Sequence, residues 1–197
     1  KKNQLTTFDM SKFNDYVIKK NIKKNEPIFF KDVEIVNRNF KLEKIRDDVK
    51  SLIRKSKVYV NQKSKIEISH HYGLESFKKF GSCMITVYND KYCKKLIFLL
   101  PQQKHPEQYH KIKNETFHII YGKIYIKLNG EKKILTQGDI VSIKPHVNHE
   151  FGCLSNTGAI IEELSSESFP KDSFYTDTKI NKNPNRKSFI NINHSFS

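Results

Sequence analysis

Between residues 101 and 164 the chain is a succession of short segments that alternate apolar and polar residues, each closed by turn residues. A period of two confines the fold to β-structure. The segments run over 116–121, 123–128, 132–135, 140–143, 147–151 and 159–164. Asn129-Gly130 between two of them is the strongest two-residue hairpin signal, because both turn positions favour φ > 0. Gln137-Gly138 marks another turn. Many short strands at even spacing predict an antiparallel sandwich or barrel.

Earlier segments feed the same sheet. Val58 with Val60, Ile66 with Ile68, and Met84, Ile85 and Val87 are read as strands, and YCKKLIFLLP as a buried strand ended by Pro101. GLESFKKFG predicts one or two helical turns. In KLEKIRDDVKSLIRKS the apolar residues Leu42, Ile45, Val49, Leu52 and Ile53 have helical spacing, predicting a helix that packs on a sheet. Within 1–40, Phe8, Phe13, Tyr16 and Val17 suggest a short helix capped by Asp9 or Ser11, and Phe29, Phe30, Val33, Ile35 and Val36 a brief strand. The Asn-rich end, NKNPNRKSFININHSFS, reads as a loose tail or an arm lying on a neighbouring subunit. The expected division is 1–80 as a helix/strand segment packed on the barrel, 81–178 as the barrel, and 179–197 as a polar tail.

Composition narrows the partners. Hydrophobic residues at 37%, with 14 Phe and 9 Tyr, suit a globular chain. The net charge of +15 would suit a polyanion, but the lysines are spread evenly and no Arg-aromatic pattern of an RNA-reading sheet occurs. Nucleic acid is therefore disfavoured, leaving anionic sugars or plain solubility. No apolar run is long enough to span a membrane. Three cysteines without CxxC spacing predict reduced thiols and a cytoplasmic protein. The chain begins at Lys1, which suits part of a longer polypeptide.

The chemistry-bearing residues cluster in the same region. Gln108 and His110 flank Tyr109 and so share one strand face. Glu115 follows four intervening residues after His110, and His149 lies on a later segment. Imidazoles, an amide and a carboxylate converging from neighbouring strands suit a divalent first-row metal: Mn, Zn, Fe, Co or Ni. An isolated His is more often structural, the role assigned to His70, His71, His118 and His194; His118 is an odd number of residues from Glu115 and faces away. Pro106 disturbs the alternation, so His105 is a candidate substrate contact at the pocket mouth. Tyr109 and Tyr121 are candidate pocket aromatics, with core packing the commoner role. Lys104, Lys111 and Lys113 read as a solvated rim. Glu162 and Glu163 cannot both face the interior of a regular strand.

The spacing resembles the cupin superfamily, whose first hairpin carries His-x-His-x4-Glu-x6-Gly and second Gly-x5-Pro-x-Gly-x2-His. Here the first runs Gln108, His110, Glu115, Gly122, with Gln in place of the leading His. The second runs Gly138, Lys144, His146, His149, with Lys144 and His146 at the usual Pro and Gly. ISHHYGLESF, YCKKLIFLLP, HPEQYHKIKNETFHIIYG and GAIIEELS are further similar to the sugar-isomerase branch of D-lyxose isomerases, and to the cupin module attached to sialic-acid-synthase-like proteins.

The resemblance implies a single jelly-roll β-barrel with an N-terminal mixed helix/strand extension, a homodimer, and a metal held by Gln108, His110, Glu115 and His149. By position it also implies proton chemistry by Lys95 and Glu163 on a small-molecule sugar, in cell-surface carbohydrate biosynthesis. Two rivals stay open: a non-catalytic module binding a sugar or nucleotide sugar for a partner enzyme, and another metal-dependent cupin chemistry such as a lyase or oxygenase.

Overall fold

In a computed structural model, residues 14–193 apart from residue 170 are described. They form β1 (Asn14–Ile18), β2 (Val33–Asn37), α1 (Arg38–Ser56), β3 (Lys65–His70), β4 (Gly81–Asn89), β5 (Tyr92–Leu99), β6 (Lys104–Tyr109) and β7 (Glu115–Tyr121). Then come β8 (Lys123–Leu128), β9 (Glu131–Thr136), β10 (Ile140–Ile143), β11 (His149–Cys153), β12 (Ala159–Ser166), β13 (Phe174–Tyr175), α2 (Thr178–Asn181) and β14 (Lys187–Asn191). The chain divides into two compact units, one ending at Ile45 and the other beginning at Arg46. In the first, β1 and β2 form an antiparallel pair.

The second unit is two antiparallel sheets of a jelly roll. One has the order β10-β7-β12-β5-β4-β3-β14 and the other β13-β6-β11-β8-β9. The strands alternate as their sequences require, and their inward rows build a core that includes Ile97, Phe117, Ile119, Ile126, Phe151 and Ile161. At one end the same rows change chemistry. Moving along each strand in steps of two, Ile97 gives way to Lys95, Phe117 to Glu115, Phe151 to His149 and Ile161 to Glu163. The closed end of the barrel is hydrocarbon, and its mouth is ionisable.

Two glycines explain the turns. Gly130 (φ 90°) follows Asn129 (φ 48°) in the two-residue connection between β8 and β9, as the Asn-Gly signal requires. Gly122 (φ 81°) ends β7, where a Cβ would run into the Gly158 carbonyl oxygen. Leu52 of α1 rests on Gly158 from the outer side, and Val49, Leu52 and Ile53 are all buried.

The expectations fail in four places. Tyr16 and Val17 lie in strand β1, because pairing with β2 outweighs their helical spacing; the proposed caps Asp9 and Ser11, Phe8 and Phe13, and His194, lie outside the described residues. Val58 and Val60 form no strand: Lys57 is left-handed (φ 59°), and an Asn61–Ser64 turn follows, leaving Tyr59 fully exposed. The segment after 178 is not a loose tail. β14 pairs with β3 from Lys187↔Ser69 to Asn191↔Lys65, and Ile180, Ile190 and Ile192 are buried. For the same reason the barrel sheet does not start at 81, since β3 is one of its strands.

Candidate metal centre and its carboxylate partner

β6 and β11 position three of the four expected donors. His149 sits opposite Gln108, and Phe151 opposite His105. Three steps on β6 thus face two on β11, a bulge at Pro106–Glu107 that turns both His105 and Gln108 inward. Glu115 opens β7 across the mouth. Ligand atoms of His110, Glu115 and His149 all lie within 4.8 Å of one another.

Hydrogen bonds set the state of each donor. His110 Nδ1 donates to the Asp172 carbonyl at 2.6 Å and His149 Nδ1 to the Val147 carbonyl at 3.0 Å. Each imidazole therefore turns its Nε2 into the site, that of His149 lying 3.3 Å from the Gln108 amide nitrogen. The two Nε2 atoms face the Glu115 carboxylate at 3.4 and 3.5 Å, acceptor against acceptor. Gln108 Oε1, His110 Nε2 and Glu115 Oε2 are buried without a hydrogen-bond partner. Buried polar atoms rarely stay unsatisfied. These three atoms and His149 Nε2, two nitrogens and two oxygens, are a donor set that fits a divalent first-row cation. Burial pushes the His149 imidazole below its ordinary pKa, keeping it neutral as a ligand must be.

Lys113, expected on a solvated rim, is 5% exposed. Its ammonium contacts Glu115 and lies 3.0 Å from Glu163 Oε1. Asp172 brings it inward: that carboxylate accepts from the N–H groups of Lys111 and Lys113 at 2.9 Å and of Ile112 at 3.2 Å, curling the loop between β6 and β7. Burial opposes the Lys113 charge, but the Glu163 and Glu115 carboxylates outweigh it and raise its pKa. Burial likewise opposes ionisation of Glu115, yet the Lys113 ammonium holds it far below the usual carboxylate range. Lys104 and Lys111 are exposed, as expected.

The remaining candidates separate. Glu163 is 3% exposed and lies 3.5 Å from Lys95, which also donates to Ser168 Oγ at 3.0 Å. Glu162 points to the other face, toward Lys94 and His118. His105 lines the cavity, stacked on Phe151 at 4.6 Å. Tyr109 does not reach it: alternation turns it outward onto Phe174. Nor does Tyr121, at the far end of β7, where its hydroxyl donates to Thr157. Tyr175, which sequence reasoning missed, lines the cavity and donates to His71 Nε2 at 3.1 Å. The cavity has a volume of about 730 Å³, within the range of a ligand site.

Residues 95–163 match the Cupin domain family model. They form a cupin domain. The match begins and ends on Lys95 and Glu163, so it frames both of the ionisable pair at the mouth. The chain is similar to a D-lyxose/D-mannose isomerase of Thermosediminibacter oceani, 28% identical over 73% of this chain and 95% of the relative. It is also similar to a D-lyxose ketol-isomerase of Cohnella laeviribosi, 28% identical over 71% of this chain and 92% of the relative. Among solved structures, the L-ribose isomerase of Cellulomonas parahominis matches with a TM-score of 0.61 at 14% identity, covering 73% of this chain and 94% of that one. At that identity the likeness is one of fold. It extends well beyond the cupin domain.

Proposed function

We propose that this protein is a metal-dependent sugar isomerase that interconverts an aldose and a ketose by carrying a proton between neighbouring carbons. One arrangement supports the reading most directly. A buried set of orphaned donors sits beside Glu163, a carboxylate steered by two lysines. The relatives named D-lyxose isomerases point to the same reaction class.

Gln108, His110, Glu115 and His149 would hold a divalent ion, which would supply Lewis acidity to the substrate carbonyl. The protein does the rest. Glu163 takes the proton from the carbon beside the carbonyl, leaving an enediolate, and returns it to the former carbonyl carbon, while the proton of the neighbouring hydroxyl passes to the former carbonyl oxygen. Lys113 stays protonated and fixes the Glu163 carboxylate at 3.0 Å. Lys95, engaged with Glu163 and Ser168, retains an N–H for the oxygen on which negative charge develops. Ile97, Phe117 and Phe151 exclude water from the cavity floor. His105 and Tyr175, both neutral, offer hydrogen-bonding groups to sugar hydroxyls.

A homodimer, a cytoplasmic setting and a place in cell-surface carbohydrate biosynthesis belong to the same proposal; the last is supported by the likeness of the quoted motifs to cupin modules of sialic-acid-synthase-like proteins. Proton exchange in deuterated water tests the chemistry. Glu163→Gln lowers exchange at the carbon beside the carbonyl by about 10²–10⁴-fold while bound metal is retained. Unchanged exchange in the variant would remove Glu163 from the reaction. Sugar binding without exchange in the wild type would favour the non-catalytic rival.

A further inference from the structure

The charges of the cavity wall can be followed pair by pair. Glu67 is held by Lys187 at 2.6 Å, Glu163 by Lys95 and Lys113, and Glu115 by Lys113. Asp172 is satisfied by the backbone N–H groups of residues 111–113. Among the described residues this leaves two cations of the wall, Arg186 and Lys171, with no carboxylate partner.

Their positions are set by the residues that hold the donor cluster. The Arg186 guanidinium lies 5.1 Å over the Tyr175 ring, and Tyr175 is the register partner of Gln108 across β13 and β6. Lys171 immediately precedes Asp172, whose carbonyl accepts from the candidate ligand His110. Both cations therefore line the same cavity as the donor cluster. The cavity is also roomier than a bare hexose needs.

We propose that the cavity takes an anionic sugar, one with a phosphate ester or carboxylate at the end remote from the reacting carbonyl, bound there by Arg186 and Lys171. This rests on the isomerase reading for the reacting end alone. The planar fork of Arg186 matches two oxygens of either anion, and stacking on Tyr175 holds the fork in place before the ligand arrives. Lys171, more exposed, supplies a second point charge. Sequence position hides the pair, since both residues follow the cupin domain and Arg186 belongs to the segment that reads as a tail.

Calorimetry with D-mannose, D-mannose 6-phosphate and D-mannuronate on metal-loaded protein tests this. At least one anionic probe binds tenfold or more tightly than D-mannose, and its advantage shrinks as salt rises. Arg186→Gln and Lys171→Gln each cut the anionic-to-neutral ratio severalfold; Arg186→Lys recovers part of it. Equal affinity for neutral and anionic sugars, no binding of either anion at millimolar concentration, or variants that weaken all three probes alike overturns the proposal. The readout needs no turnover. Anion preference without proton exchange sinks the isomerase reading alone, and exchange without anion preference sinks this one alone.

Discussion

Lys113 Nζ lies 3.0 Å from Glu163 Oε1, and the same ammonium contacts Glu115, so one buried cation joins a candidate metal ligand to the candidate proton carrier. The two carboxylates thus share one counterion.

Removing that cation leaves two buried carboxylates facing each other. Lys113→Met is expected to destabilise the metal-free protein by about 3 kcal/mol, the usual cost of breaking a buried pair. Urea unfolding measures it. The pH dependence carries a sign. The folded pKa of Glu115 is depressed, so its contribution is present above the unfolded value near 4.5 and is lost as pH falls through the acid range below it. In Lys113→Met that acid-side loss becomes shallower, because nothing comparable holds Glu115 ionised. An unchanged slope between pH 5 and pH 3 would show that the pair does not act as described.

Gln108 stands, with an amide, where the family usually has an imidazole. Gln108→His is expected to raise zinc affinity about tenfold and manganese affinity less, since imidazole favours the softer, later metal. Competition titrations with a chelating dye read this without any substrate. Equal gains for both metals would place Gln108 outside the donor set.

Asp172 organises the site twice, with its carbonyl on His110 Nδ1 and its carboxylate on the 111–113 loop. In Asp172→Ala the loop loses its anchor, and metal affinity falls an expected 10–100-fold, as for other outer-shell partners. The same titration checks it, with circular dichroism to show that the barrel remains.

His146 occupies the position of the family's glycine and is left-handed, φ 65°, so that its N–H can donate to the His110 carbonyl at 2.7 Å. His146→Gly keeps that bond and relieves the strain. Thermal unfolding is expected to show a gain of about 0.5–1 kcal/mol; a loss would mean that the imidazole contributes packing worth more than the strain.

The sheet strands and the donors were readable because both depend on local spacing. The alternation through Ile97, Phe117, Phe151 and Ile161 writes strand, face and core together. The choice of Glu163 over Glu162 came from likeness and is matched by burial. Lys113 was misplaced because its neighbours, Lys111 and Asn114, are exposed; what turns it inward is Asp172, some sixty residues away. The only local hint was its position two residues before Glu115. Tyr175 and Arg186 had no sequence signal at all, since Tyr175 reaches the cavity through the pairing of β13 with β6 and Arg186 through its place just before β14.

By itself the sequence determined a β-barrel with a helix before it and the turns at Asn129-Gly130 and Gly138, and singled out Gln108, His110, Glu115 and His149 as candidates, because period, spacing and turn chemistry act over a few residues. Only the tertiary structure decided that Lys113 is shared by two carboxylates, that β14 completes a sheet, and that Arg186 and Lys171 line the cavity. These depend on which distant backbone groups and charges burial brings together, and a buried charge takes whatever partner the fold places within reach.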